Sequence, residues 1–302
     1  MSDPPRYQGF RPLRPGARVA VVAPAGPFER AALEAGLAVL ERRYSLRLAP
    51  ELFARQRYLA GTDAQRLAQL TAALADPDIE AVFCARGGYG AMRLLPALQG
   101  LPSTPKPLVG FSDITALHAW LQRNGRISVH GPVLTQLGTL DPRTHERLFA
   151  LLEEDAPAAP LLATDTYVPG AAEGPLLGGT LAVLSRLLGT PYLPSLEGAV
   201  LLLEDVGEQP YRLDRMWTHL ALAGVFRQVR GIALGAFTGC EPRDADYTSA
   251  QVLSDLAAET GLPCAAGFPI GHGEHNEPVP LGVRVRLDAT ARTLTFLHGA
   301  TG

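Results

Sequence analysis

The first half of the chain alternates between short apolar runs and segments with helical spacing. A buried strand is indicated at 17–23, further strands are indicated near 46–49 and at 79–85, and helical segments are indicated between them. The run KPLVGF is followed by the helical segment SDITALHAWLQRNG and then by another short strand, RISVHGP. Because strands and helices that alternate in this way form parallel, doubly wound sheets, the first half is predicted to be an α/β domain.

The pattern changes after residue 154. Residues 155–170 are rich in Pro and Ala and lack periodicity, so we interpret them as a linker. Beyond them, GAVLLLED and GIALGAF indicate strands, PYRLDRMWTHLALAG indicates a helix, and VRVRLDATARTLTFLHG is typical of a hairpin. We therefore predict an α/β domain at 1–154 and a smaller, mixed, β-rich domain at 171–302.

Composition excludes several classes of protein. The net charge of −3 and pI of about 6.2 lack the basic excess of a nucleic-acid-binding protein. No apolar run is long enough to cross a bilayer, and the polar, proline-rich N-terminus is unlike a signal peptide. The three cysteines are scattered and odd in number, with neither a disulfide framework nor metal-binding spacing. These features predict a cytoplasmic protein with no membrane or nucleic-acid partner.

A serine stands where a predicted strand becomes a helix. In open parallel sheets, ligands bind beyond the carboxyl ends of the strands, and Ser112 directly follows such an end. A nucleophile elbow has this geometry, although the G-x-S-x-G pattern is incomplete because Ile114 replaces its second glycine. Serine is also a favoured helix N-cap, so an ordinary cap is the alternative interpretation.

A serine nucleophile requires a base and an orienting acid. His130, His272 and His275 lie in glycine-flanked loops, where functional residues concentrate. Glu204 ends a very apolar run and is the candidate acid, with a structural hydrogen bond or ion pair as the alternative. Catalytic triads that arose independently on different folds include some in which serine, acid and histidine follow one another in this order along the chain. The remaining histidines are interpreted as surface or packing residues: His118, His145, His219 and His298.

The turn RGGYG at 86–90 follows another predicted strand. Its backbone N–H groups are suited to an oxyanion or a carboxylate, and an ordinary glycine turn is the alternative. Because the turn does not have the pattern G-x-G-x-x-G, it gives no indication of dinucleotide binding.

Seven sequence elements resemble those of the LD-carboxypeptidases, a family of serine peptidases that includes the microcin C immunity hydrolases. The resemblance extends over nearly the whole chain. In order, the elements are VAPAGP, RGGYGAMRLL, GFSDITALH, VHGP, GPLLGGTLAVLSRLLGTPYLP, LLLEDVGEQPYRLDRMWTHL and GFPIGHGEHNEPVPLG. The resemblance implies a flavodoxin-like N-terminal domain with a parallel sheet, a smaller β-rich C-terminal domain, an active site at their interface, and a homodimer.

The resemblance also implies the residues of the site. Motif by motif, the family's triad corresponds to Ser112, Glu204 and His272, while the neighbouring His275 is left without a role. The oxyanion hole would consist of the backbone N–H groups of Asp113 and Gly88. No metal and no organic cofactor is required by this chemistry.

This chain departs from the family pattern at one position, and the donors for the substrate's terminal carboxylate also have to be assigned. The family usually has GGN where this chain has two glycines followed by Thr180, so any role of the asparagine amide is in doubt. For the terminal carboxylate of a peptide substrate, the hypothesis is that Arg86 and the turn amides, including that of Gly87, supply the donors.

The implied substrate is a cytoplasmic murein tetrapeptide, L-Ala-γ-D-Glu-meso-diaminopimelate-D-Ala, from which the terminal D-alanine is removed.

Three alternative functions stay open. A microcin-immunity-type enzyme would cleave a peptidyl or aminoacyl nucleotide, and a thiol hydrolase would use Cys84, which is more typical of a buried core residue. A non-catalytic protein would bind a small ligand in the cleft between the domains.

Overall fold

The computed structural model describes residues 7–101, 105–243 and 246–301. The strands are β1 (Arg18–Val22), β2 (Ser45–Leu48), β3 (Ala81–Cys84), β4 (Leu108–Gly110), β5 (Ser128–His130), β6 (Leu161–Leu162), β7 (Asp165–Val168), β8 (Ala171–Thr180), β9 (Val200–Val206), β10 (Gly231–Thr238), β11 (Cys264–Ala266), β12 (Val279–Leu281), β13 (Arg284–Asp288) and β14 (Thr293–Phe296). The α-helices are α1 (Arg30–Glu41), α2 (Asp63–Ala75), α3 (Leu95–Leu98), α4 (Thr115–Arg123), α5 (Leu134–Leu137), α6 (Pro142–Glu153), α7 (Leu181–Leu187), α8 (Pro210–Leu222) and α9 (Ser249–Thr260). Short 3-10 helices occupy Ala91–Leu94, Ser112–Ile114 and Val225–Arg227.

The first half of the chain forms a parallel sheet in the strand order β2-β1-β3-β4-β5. This is the flavodoxin order, which confirms the predicted fold class. Strands β1, β3 and β4 are almost entirely apolar, because helices cover both faces of such a sheet and leave no exposed side. Helix α2 begins with a capping box, in which the backbone N–H of Gln65 donates to the Thr62 hydroxyl at 3.2 Å and the Gln65 side chain accepts from the Thr62 N–H at 2.8 Å.

The second half forms a mixed, 8-stranded sheet in the order β6-β14-β13-β8-β9-β10-β11-β7. Its centre, from β8 to β11, is parallel, while the flanking strands pair antiparallel. The predicted hairpin at the end of the chain is confirmed by the antiparallel pairing of β13 with β14. The mixed character predicted for the second half is therefore correct.

Two segments form strands that differ from the sequence-based interpretation. The segment 155–170 contains β6 and β7, which pair with β14 and β11, so it contributes to the second sheet as well as connecting the two halves. Strand β12 lies far along the chain but pairs antiparallel with β5 at the edge of the first sheet. The division into 1–154 and 171–302 stays a prediction.

The two sheets meet through α4. This helix follows β4 and contacts both β8 and α7 of the second half. The carboxyl ends of β4, β8 and β9 are therefore brought towards one another. None of the helices within the three described ranges is long and apolar enough to cross a membrane.

Candidate active site

Ser112 lies at the sharp turn between β4 and α4. Its φ is 64°, in the left-handed region that L-residues other than glycine rarely adopt. The N-cap position of α4 is occupied by Ile114, not by Ser112, and the Ser112 hydroxyl instead lies 3.1 Å from Nε2 of His272. A strained, non-glycine residue at a strand-to-helix turn is the arrangement of a nucleophile elbow, so the structure does not support the simple helix-cap interpretation.

Glycine at position 87 permits this turn to approach the adjacent strand end. A Cβ atom added to Gly87 would lie 2.8 Å from the Cβ of Ser112 and 3.1 Å from its Oγ. The turn is held in place on its other side, where the N–H of Gly26 donates to the Gly87 carbonyl at 2.9 Å. The turn at 86–90 therefore approaches the candidate nucleophile through Gly87.

His272 connects the serine to a carboxylate. Its Nδ1 lies 2.7 Å from Oε2 of Glu204, and its backbone N–H donates to the same oxygen at 3.1 Å. Because an ionised carboxylate can only accept, Nδ1 carries the proton and Nε2 of the neutral ring is free to accept from the Ser112 hydroxyl. The ring packs against Phe111, with 4.7 Å between the ring centroids.

The loop that carries His272 is anchored to the first half of the chain. The N–H of Gly271 donates to the Asn276 side-chain oxygen at 2.9 Å. The amide nitrogen of Asn276 in turn donates to Oε1 of Gln136, in α5, also at 2.9 Å. Gly271 has φ 97°, and a Cβ there would overlap the Glu204 carboxylate. A glycine is therefore required where the histidine loop passes the acid.

Glu204 is fully buried at the carboxyl end of β9. Its Oε1 accepts a hydrogen bond from the Thr180 hydroxyl, and Nε2 of the buried His130 lies 3.9 Å from the same oxygen. Burial by itself would raise the pKa of Glu204, but the neighbouring His130 and His272 hold that pKa below its usual value. The residue is therefore an ionised carboxylate in a position that can orient His272 and stabilise a positive charge on its ring.

Asp113 and Gly88, the predicted oxyanion residues, lie on the two turns that meet at Ser112. The Asp113 carboxylate accepts from the Ala91 N–H at 2.7 Å, and burial raises the pKa of Asp113 to about 6. This bond ties the serine turn to the end of the RGGYG turn. Gly88 has φ 102° and its Cβ position faces Gly26. Asp113 directly follows the serine and Gly88 directly follows Gly87, whose Cβ position faces Ser112.

The other candidates from the sequence have different surroundings. Arg86 is exposed, and its guanidinium donates to the Pro27 carbonyl. His275 is exposed and lies 3.3 Å from Asp141, whereas its neighbour His272 faces Glu204 and Ser112. Cys84 is buried within β3, and burial raises the pKa of its thiol, which disfavours the thiolate that a thiol hydrolase requires.

Two neighbours of Glu204 have positions that the sequence did not predict. The sequence indicates His130 as a candidate base, whereas the structure places it beside the acid and fully buried. Thr180 was visible only as a departure from a family motif. Within the three described ranges, no group of three or more His, Cys, Asp or Glu side chains is placed to hold a metal ion.

A serine, a histidine and a carboxylate in one hydrogen-bonded line, at an elbow of a parallel sheet, form an arrangement that serine hydrolases use. The models of the LD-carboxypeptidase N-terminal and C-terminal domains match residues 19–131 and 173–287, respectively. The chain belongs to the LD-carboxypeptidase family.

Relatives cover nearly the whole chain. A protein of Streptomyces coelicolor with carboxypeptidase in its name is 44% identical over 94% of this chain and 94% of its own length. The murein tetrapeptide carboxypeptidase of Pseudomonas aeruginosa is 38% identical over 93% of this chain and 95% of its own. The crystal structure of the muramoyltetrapeptide carboxypeptidase from Oxalobacter formigenes is 28% identical, with a TM-score of 0.83, and the match covers 93% of this chain and 98% of that one.

Proposed function

We propose that this protein is a serine LD-carboxypeptidase that removes the terminal D-alanine from murein tetrapeptides. The observation that carries the proposal is the line from Ser112 Oγ to His272 Nε2, at 3.1 Å, and from His272 Nδ1 to Glu204 Oε2, at 2.7 Å. Relatives at 35% and 38% identity whose names specify murein peptides support the choice of substrate.

The reaction begins at Ser112. His272 takes the hydroxyl proton at Nε2 while Oγ attacks the diaminopimelate carbonyl, and a tetrahedral oxyanion forms. His272 then gives that proton to the departing D-alanine amine, which leaves an acyl-enzyme. Water attacks the ester with His272 again as base, and Ser112 is regenerated. Glu204 keeps Nδ1 protonated and stabilises the imidazolium in both halves of the reaction.

The oxyanion is stabilised by the backbone N–H groups of Asp113 and Gly88. In comparable sites the removal of one such donor costs about 3 to 4 kcal/mol of transition-state stabilisation. The bond between the Asp113 carboxylate and the Ala91 N–H supports this role, because it fixes the two turns relative to each other before substrate arrives.

The terminal carboxylate of the substrate binds to Arg86 and to the turn amides, including that of Gly87. Arg86 is exposed and immediately precedes Gly87, whose backbone lies against Ser112. A guanidinium on the residue next to Gly87 can form a charge-assisted, bidentate pair with the free carboxylate of a substrate bound at Ser112. The enzyme would therefore favour a substrate in which the cleaved residue is the last one.

The setting of the enzyme is also proposed. It acts in the cytoplasm on peptides released during wall recycling, as a homodimer, and its chemistry needs no metal or organic cofactor. Sedimentation velocity of the purified protein tests the dimer, and retention of activity after dialysis against a chelator tests the independence from metal.

The test of function is the release of D-alanine from the purified murein tetrapeptide by wild type, Ser112→Ala and Ser128→Ala. Ser128 is a suitable control because it is a buried serine at the start of β5, and its hydroxyl lacks a hydrogen-bond partner among the described residues. We expect release by wild type and Ser128→Ala and none by Ser112→Ala.

The other outcomes separate the alternatives. Release that survives in Ser112→Ala would mean that the nucleophile is wrongly assigned. Failure of folded wild type to release D-alanine would refute the murein assignment, and an aminoacyl nucleotide would be assayed next. Binding of either ligand that survives in Ser112→Ala, with no turnover by wild type, would identify a non-catalytic binding protein.

A further inference from the structure

The two oxygens of Glu204 have different partners. Oε2 accepts two hydrogen bonds from His272, one from Nδ1 and one from the backbone N–H. Oε1 accepts from the Thr180 hydroxyl, whereas His130 Nε2 at 3.9 Å lies beyond hydrogen-bonding distance. Both carboxylate oxygens therefore accept hydrogen bonds, and the oxygen that does not contact His272 accepts its bond from Thr180.

Thr180 is itself held in place by the helix of the candidate nucleophile. It is the last residue of β8 and lies directly opposite Glu204 in the parallel pairing of β8 with β9. Its backbone N–H donates to the Thr115 hydroxyl at 3.1 Å, and Thr115 is the first residue of α4. Gly179 allows this approach, because a Cβ there would lie 2.6 Å from the Thr115 hydroxyl. Thr180 thus connects the acid to the helix that follows Ser112.

We propose that Thr180 is a positioning residue, which fixes the rotation of the Glu204 carboxylate so that Oε2 stays on His272. This inference rests on the proposed function, since it assigns a task within the Ser112, His272 and Glu204 line. Without the hydroxyl, Oε1 would be a buried, charged acceptor with no hydrogen bond, and rotation of the carboxylate towards His130 would relieve that cost. Such a rotation weakens the bond to Nδ1 that keeps Nε2 ready to accept a proton.

A threonine suits this task better than a longer polar side chain would. Its branched Cβ leaves few rotamers, so the hydroxyl is held in one direction at little entropic cost. The residue is almost fully buried between β9 and α4, where a longer side chain would have to displace its neighbours. The departure from the family's asparagine therefore still provides a donor at this position, through a hydroxyl instead of an amide.

The test compares Thr180→Val, which replaces the hydroxyl by a methyl group of similar size, with Thr180→Ser, which keeps the hydroxyl. Thr144→Val is the matched control, because Thr144 is a buried threonine whose hydroxyl has no hydrogen-bond partner in the described part of the chain. For each variant, kcat and KM for D-alanine release are measured. The second readout is the rate at which a fluorophosphonate labels Ser112, a reaction that forms an Oγ–P bond, expels fluoride and needs His272 as base but no murein peptide.

We expect Thr180→Val to lower kcat and the labelling rate about ten- to a hundredfold, as loss of a supporting hydrogen bond commonly does, with KM changed less than twofold. Thr180→Ser should restore both rates to within a few-fold of wild type, and Thr144→Val should match wild type. Rescue by serine distinguishes the hydroxyl from the packing of the side chain. Should Thr180→Val not fold, Thr180→Ala is compared with Thr180→Ser in the same two assays.

The inference is overturned if Thr180→Val keeps wild-type kcat and labelling rate, or if serine does not rescue the loss. A wild type that is labelled at Ser112 but releases no D-alanine would refute the murein substrate alone, and the labelling rates would still decide the role of Thr180. A wild type that is not labelled at Ser112 would overturn both proposals.

Discussion

Replacement of Gly87 by alanine tests whether the RGGYG turn sets the position of the nucleophile. The new Cβ would lie 2.8 Å from the Ser112 Cβ, 3.1 Å from its Oγ and 3.3 Å from the Phe111 carbonyl oxygen. Gly87 has no positive φ, so alanine adds no backbone strain at that position. The consequences of the substitution therefore arise at the nucleophile turn.

The magnitude follows from the size of that overlap. Carbon atoms in contact prefer a separation of about 3.5–4.0 Å, so Ser112 or the turn must retreat by about 1 Å. A misplacement of about 1 Å in an active site costs about a hundredfold in rate, which corresponds to about 2.7 kcal/mol on the barrier. Overpacking of this kind also lowers the free energy of unfolding by about 1–3 kcal/mol.

Gly231→Ala provides the control for that loss of stability. Its Cβ would lie 2.9 Å from the Ala172 Cβ, a similar overlap, but at the start of β10 and so at the opposite end of the strands from Glu204. Urea unfolding should show a comparable loss of stability in both variants, while kcat for D-alanine release should fall about a hundredfold only in Gly87→Ala. A folded Gly87→Ala with wild-type kcat, or an equal loss of kcat in Gly231→Ala, would refute the reasoning.

Three further predictions concern individual side chains of the site. Glu204→Gln should lower kcat about 10³- to 10⁴-fold, because the neutral amide cannot stabilise the His272 imidazolium, and a loss of less than tenfold in steady-state kinetics would contradict that role. Arg86→Ala should raise KM for the tetrapeptide more than it lowers kcat, since the arginine binds a group that does not react; an unchanged KM counts against carboxylate binding. Treatment of the native protein with iodoacetamide should leave activity intact because the Cys84 thiol is buried and protonated, and inactivation that tracks alkylation of Cys84 would reinstate a thiol nucleophile.

The elements of the first sheet could be predicted because their signals are local. Strands β1, β3 and β4 are short, largely apolar runs, and helices with their own periodicity or capping separate most strands of this sheet. Strand β12 was not predicted, because its three residues pair with β5 from a distant part of the chain. The strands β6 and β7, of two and four residues, are likewise too short for an alternating pattern to be recognised.

The positions of the histidines show where sequence patterns stop being informative. Glycine-flanked loops are typical of functional residues, and this pattern fits His130, His272 and His275 equally well. The family motif distinguished His272 from His275, and the structure places the first on Glu204 and the second on Asp141. His130 could not be separated in this way, because its burial beside Glu204 depends on how the end of β5 faces the end of β9.

The hydrogen-bond partner of Glu204 Oε1 likewise depends on how neighbouring strands are placed in the fold. A carboxylate that is fully buried needs a donor for each oxygen, and His272 supplies donors to Oε2 alone. That requirement predicts a donor at Oε1 but does not identify it. The identity of the donor depends on the register of β8 against β9, which places Thr180 opposite Glu204. In the sequence, threonine at this position indicates only that the amide of the asparagine usual in the family motif is missing. In the fold it satisfies the one acceptor that the histidine leaves open.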